Sequence, residues 1–346
     1  LGIGFTDTNV KVGDTALDSL TVGTQNVAVG NNALTANTTA NDNTAVGHES
    51  LQTNTTGAQN TGLGHRTLQL NTTGSQNTAV GRQSLQDNTT ADNNTAVGHH
   101  ALLANTTGAS NVAVGAYALD ANTTASNNTA VGYGAATANT TGSSNTVLGR
   151  SAFASNTTGS NNTVMGHGAM DANTTASNNT AIGRSALELN TTGTQNTAVG
   201  AYVLDAVQTG NDNTALGYIA LSNATGSQNT ALGSRALQDM GTGDDNTAIG
   251  YHALHTNTTA SNNTAVGSHA LYLNTTGTYN VAIGYESLKS NTTASGNTAV
   301  GYQTLESNTT GAYNCAFGLN ALTGNTTASS NTALGYAALT DNTTGE

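Results

Sequence analysis

At 346 residues the chain has the length of about two ordinary domains, yet charged residues make up only 8% of it, against roughly 25% in typical soluble domains. The net charge is −12 and the seven Lys and Arg are scattered, which excludes the basic stripe that nucleic-acid phosphates require. Proline is absent, so collagen-like and proline-rich linker classes fall away, and no apolar run is long enough for a membrane span.

In chain order, residues 1–8 (LGIGFTDT) form a lead-in with no basic-then-apolar signal pattern. From Asn9 the chain then repeats itself every 17 residues through 20 units, the last starting at Asn331. Only the unit from Asn213, with 16 residues, and the last, which stops at Glu346, are shorter. Position 1 is Asn and position 5 is Gly in all 20 units; position 9 is Leu in 17, the exceptions being Ala136, Phe153 and Met170 in consecutive units. Stacked neighbours of small, large and large volume can compensate locally. Fixed-period self-similarity marks a solenoid, one quasi-one-dimensional domain over residues 9–346. Because the chain starts and stops inside repeat-like sequence, it reads as a processed or partial product.

Within a unit, positions 1–5 follow an Asn-Thr-Ala-Val-Gly pattern, with Thr, Val or Cys at position 2 and Val, Leu, Ile, Met or Phe at position 4, an alternation with β-branched residues that predicts a short strand. Position 4 is expected to face the core. The Ala at position 3 is expected to point the other way, towards a neighbouring layer, and Gly at position 5 to make a sharp bend. Positions 8 and 9, mostly Ala-Leu, supply a second core anchor, on a segment that periodicity leaves open between a second strand and a one-turn helix. Positions 12–17 carry turn chemistry. The predicted fold is therefore all-β: a parallel β-solenoid, or β-roll, of 20 coils. At ~4.8 Å per coil the stack would be roughly 95 Å long. The Asn at position 1 either ladders along the stack or caps its own turn.

The Asn-Thr-Ala-Val-Gly element, repeated over residues 9–346, resembles the head repeats of trimeric autotransporter adhesins. Those carry an Asn-Ser-x-Ala-Ile-Gly element and form left-handed parallel β-rolls with three chains side by side. It is more similar still to the NTAVG…AL…NTTG arrays of phage tail-fibre-like and bacterial surface proteins. The resemblance implies a fibre or adhesin segment on a cell or virion surface. The unit departs from the adhesin repeat in being longer, mainly in the Asn-Thr-Thr segment.

Chemistry is sparse. Asn-Thr-Thr is a glycan acceptor pattern as well as a good turn. It makes candidates of Asn37, Asn54, Asn71, Asn88, Asn105, Asn122, Asn139, Asn156, Asn173, Asn190, Asn257, Asn274, Asn291, Asn308, Asn325 and Asn342, with Asn223 in an Asn-Ala-Thr. Asn93, Asn127, Asn161, Asn178 and Asn262 begin Asn-Asn-Thr. Position 6 carries His48, His65, Arg82, His99, Arg150 and His167 early in the chain and Tyr218, Tyr251, Tyr285, Tyr302 and Tyr336 later. The tyrosines suit an edge between chains or a carbohydrate surface. Two imidazoles on a ladder fall short of the three or four ligands a metal needs, so the histidines read as a solvated edge and no metal or other cofactor is expected. Cys315, the only cysteine, reads as a small filler and gives no disulfide framework. Sporadic Asp argues against calcium repeats. No phosphate loop, nucleophile elbow or distinctive carboxylate pair suggests an enzyme. The largest irregularity, Val207–Asp212 through Met240–Asp245, reads as a register adjustment or bend.

The expectation is a non-enzymatic extracellular structural fibre. It would associate with itself, head to tail into a filament or side by side as a homotrimer. Residues 1–8 would help to stack it, and its surface would be repetitive and glycan-bearing. An adhesin that binds cell-surface glycans and an ice-binding solenoid are the alternatives.

Overall fold

The computed structural model describes residues 3–6 and 8–345; Leu1, Gly2 and Asp7 of the lead-in and the terminal Glu346 lie outside them. The chain divides into two compact units, Leu1–Ala176 and Ser177–Glu346. Each is a parallel β-solenoid with one coil per sequence repeat. In the first, β1 (Ile3–Thr6) pairs antiparallel with β2 (Asn9–Val12), and β2 pairs parallel with β3 (Val27–Val29). Three-residue strands follow in every coil to β11 (Thr163–Met165). The second unit runs in the same way from β12 (Thr180–Ile182) to β21 (Thr332–Leu334). Within each unit the register holds: position 2 lies beside position 2, as in Thr78 beside Thr95 and Val281 beside Thr298.

The strand has the expected alternation but the opposite phase. Position 3, not position 4, faces the core: Ala28, Ala45, Ala96 and Ala113 are fully buried, whereas Val29, Val46, Val97 and Val114 are only half-buried on the outside. The core of a coil is narrow, and only Val147 and Val164 bring a larger side chain into it at position 3. Alanines at positions 3 and 8 and the Leu of position 9 fill it, together with two asparagines. Where position 3 is Gly62, a Cβ would lie 2.5 Å from Ser50 Oγ and 2.8 Å from Thr67 Oγ1, so its missing methyl makes room for hydroxyls at position 8. Ser50 in turn donates to the Gly62 carbonyl at 3.1 Å.

Positions 7–9 are neither strand nor helix, and no helix occurs among the described residues. Positions 7 and 9 both take left-handed backbone in every coil, for example His100 at φ 56° and Leu102 at φ 56°. A buried leucine in this region is unfavourable by itself, by about 1–2 kcal/mol. It is held there by the stack: Leu102 N–H donates to the Ala118 carbonyl at 2.9 Å and His100 N–H to the Arg82 carbonyl at 3.1 Å. Coil-to-coil hydrogen bonds also run from positions 11, 13 and 17, so the backbone is paired around the circumference and not only along the labelled strand. Gly98 at position 5 has φ +141°, and a Cβ there would sit 2.5 Å from the Gly115 carbonyl oxygen, which is why no other residue occurs at this position.

Both ways of using the position 1 asparagine operate at once. Asn94 Nδ2 donates to the Gly108 carbonyl of its own coil at 2.9 Å, while Asn94 Oδ1 accepts the Asn111 backbone N–H at 2.9 Å. A second ladder runs through position 12. Asn105 Nδ2 donates to Asn88 Oδ1 at 3.0 Å and to the same Gly108 carbonyl at 2.9 Å. Two buried amides thus converge on one carbonyl and fix the turn.

The irregular stretch is not a register shift. At position 12 it replaces Asn with Val207, Ala224 and Met240, all fully buried. The missing residue of the short coil is absorbed in its turn, and the position 1 ladder continues from Asn213 Oδ1 to Asn229 N–H at 3.0 Å.

Candidate functional site

Three outer surfaces carry the candidate chemistry: the Asn-Thr-Thr turn, the ladder of positions 6 and 7, and the outward sheet face.

The turn has a closed side and an open side. From Asn37 to Asn325 the position 12 asparagines are buried, and within a run of successive asparagines both amide hydrogens are engaged as in Asn105, whereas Asn37 and Asn257, which begin a run, donate to the Ala40 and Ala260 carbonyls. A sugar on Nδ2 would replace a ladder hydrogen and enter the coil interior, so these amides are not available to a glycan in the folded coil. Asn342 is half-buried and donates to the Gly345 carbonyl at 3.1 Å; Asn223, in the short coil, is exposed. Asn93, Asn127, Asn161, Asn178 and Asn262 are also exposed, because position 17 turns outward in left-handed backbone. Of the two turn threonines, the first is tied to the stack, as in Thr55 Oγ1 donating to the Thr72 carbonyl at 3.0 Å, and only the second faces solvent.

The ladder of positions 6 and 7 brings together what the sequence separates by 17 residues. Tyr218, Tyr251, Tyr285, Tyr302 and Tyr336 are all exposed. Tyr285 and Tyr302 stack on adjacent coils with centroids 5.3 Å apart, whereas Ser234, Ser268 and Leu319 interrupt the others. Tyr133 occupies the same position in the first unit and is equally exposed.

His48 and His65 also stack, at 5.4 Å and 8° between planes. Beside them stands Glu49, a residue the sequence reading passed over because position 7 varies without pattern. Its Oε2 accepts Arg66 Nε at 2.7 Å and Gln69 Nε2 at 3.0 Å, and its Oε1 lies 3.8 Å from His48 Nε2. Burial, then Arg66, His48 and Arg82, lower the pKa of His65.

A larger imidazole cluster lies in the second unit. His252 stacks on His255 at 4.7 Å and on His269 at 5.4 Å, with Tyr251 and Tyr272 against it. Both ring nitrogens of His252 are buried without a hydrogen-bond partner. Burial is the first cause that lowers the pKa of His252 and of His255, reinforced by Arg235 and His269 and opposed at His255 by Asp239.

The outward sheet face follows from the strand phase. In each unit it carries a row of position 2 residues, mostly Thr, and a row of apolar position 4 residues, aliphatic except for Phe317. Larger side chains protrude from the second row: Leu63, Leu148 and Leu216 are 47%, 44% and 45% exposed. Cys315 lies in the first row, half-buried. No helix among the described residues is long and apolar enough to cross a membrane. No family model matches the chain, and no curated protein matches it either.

Proposed function

We propose that the chain is a non-enzymatic structural fibre protein. Its coils supply stiffness and a repetitive outer surface, and it associates laterally with copies of itself. The observation that carries this reading is the outward sheet face: an in-register row of partly exposed apolar side chains, one per coil in each unit, beside a row made mostly of threonines. Contiguous exposed apolar surface of this kind marks an interaction site, and a periodic one suits a periodic partner. Stiffness is favoured by the two buried asparagine ladders and by the circumferential coil-to-coil bonding. An extracellular or virion-surface setting fits a chain with only seven Lys and Arg, which offers few tryptic sites, and fits its resemblance to adhesin and tail-fibre repeats. In this reading any covalent glycan is carried by the exposed sequons, Asn223 and those at position 17.

Light scattering coupled to size exclusion at micromolar concentration tests it. The native chain is expected to run as a trimer or larger assembly, and Val97→Lys combined with Leu216→Lys is expected to shift it to monomer with an unchanged circular dichroism spectrum. A native chain that is monomeric throughout sinks the proposal.

The threonines at position 2, outward and in register, favour ice binding as a second reading. Thermal hysteresis from a monomeric chain would select it over the fibre.

A further inference from the structure

The ladder of positions 6 and 7 places His48, Glu49 and His65 so that one donor atom from each lies within 4.8 Å of the others. We propose that these three residues form a binding site for a divalent transition-metal ion of the Zn²⁺ class, clamping two adjacent coils of the first unit.

The donor set is two imidazoles and one carboxylate, which leaves a fourth position for water. This is the composition of open zinc sites. Metal–ligand bonds of about 2.0–2.1 Å place tetrahedral donors about 3.3–3.4 Å apart, so the present spacing must close by roughly an ångström. The side chains have room to do this. His48 and Glu49 are neighbours in one coil, His65 stands on the next, and the His48 side chain is 46% exposed.

Glu49 is already oriented for the task. Arg66 and Gln69 hold its Oε2, leaving Oε1 turned towards His48. Such outer partners orient ligating carboxylates and sustain affinity. His65 Nδ1 is buried and has no hydrogen-bond partner, so a lone pair on that ring is uncommitted. Against binding stand the positive charges of Arg66 and Arg82. Arg82 is turned to the next coil, where its Nη1 is 3.3 Å from His99 Nε2. These charges argue for a site of modest affinity, not a tight structural one.

The test is isothermal titration of the full chain with Zn²⁺, beside His48→Asn, His65→Gln and Glu49→Gln variants and a His252→Gln, His255→Gln control. The native chain is expected to bind one equivalent that each of the first three variants weakens at least tenfold and the control leaves intact. Binding should also slow amide exchange at Leu51 and Leu68. Continuous-wave EPR with Cu²⁺ should report two nitrogen ligands, falling to one in His65→Gln. His48, Glu49 and His65 lie on the outer ladder, and unchanged circular dichroism verifies the fold of every variant, the control with its buried His252 included. Absence of binding, or binding that survives His48→Asn and His65→Gln or is lost in the control, overturns the assignment.

Discussion

At the scale of single residues, the unit is written in two invariant letters. Gly at position 5 is required twice over, by a backbone angle closed to other residues and by the carbonyl of the next coil. Gly98→Ala is therefore expected to cost about 3 kcal/mol or more, read as a fall in thermal stability. Asn at position 12 is not invariant, but in the 16 units that carry it its partners are largely other copies of itself. Asn105→Val removes its amide from Asn88 and from the Gly108 carbonyl, and leaves Asn122 without its acceptor. With each orphaned buried group costing about 1–3 kcal/mol, this change is expected to destabilise by about 3 kcal/mol in urea unfolding. The sequence made the invariance of position 1 plain. It did not say that position 12 is interior, because Asn-Thr-Thr has the chemistry of an exposed turn and its burial arises only once coils stack.

At the scale of the ladder, cost depends on boundaries more than on the number of residues changed. Val207, Ala224 and Met240 replace Asn in three successive coils, so the polar ladder is interrupted at two ends only. A block change of Asn88, Asn105 and Asn122 to Val is accordingly expected to cost clearly less than three times the single change, a non-additivity that a mutant cycle measures. The imidazole ladder makes a second prediction. His252 and His255 have pKa values held below the ordinary 6.5, chiefly by burial, so the folded state binds fewer protons than the unfolded one. Their contribution to stability is full above pH 6.5 and is lost as pH falls below it towards the lowered folded values. The melting temperature is expected to drop between pH 7 and pH 5, and His252→Phe with His255→Phe to flatten that drop. Asp239, Arg235 and His269 face the cluster and remain in the variant, which isolates the two rings.

At the scale of the molecule, each coil contacts only its neighbours, so perturbations are expected to stay local. Hydrogen exchange of the Gly98→Ala chain should accelerate in the coils from Asn77 to Asn127 and be unchanged near Thr298. Exchange that accelerates everywhere would instead mark a single all-or-none unit. Lateral association belongs to this scale too, since a row of modest apolar side chains gains area only by repetition.

The repeat by itself determined the architecture, because a fixed 17-residue period with invariant Asn and Gly admits a stacked coil and little else. Alternation likewise determined that positions 2 and 4 share a face. Which face that is, only the tertiary structure decided: a strand of three residues has a period but no phase, and the choice rests on how much volume one coil encloses. Four small groups and a leucine fill that volume, so the valines turn outward and the asparagines inward. The ladder of His48 and His65 was legible from the period, but Glu49 beside them was not, because only the side-chain geometry turns a variable position 7 carboxylate towards the two rings.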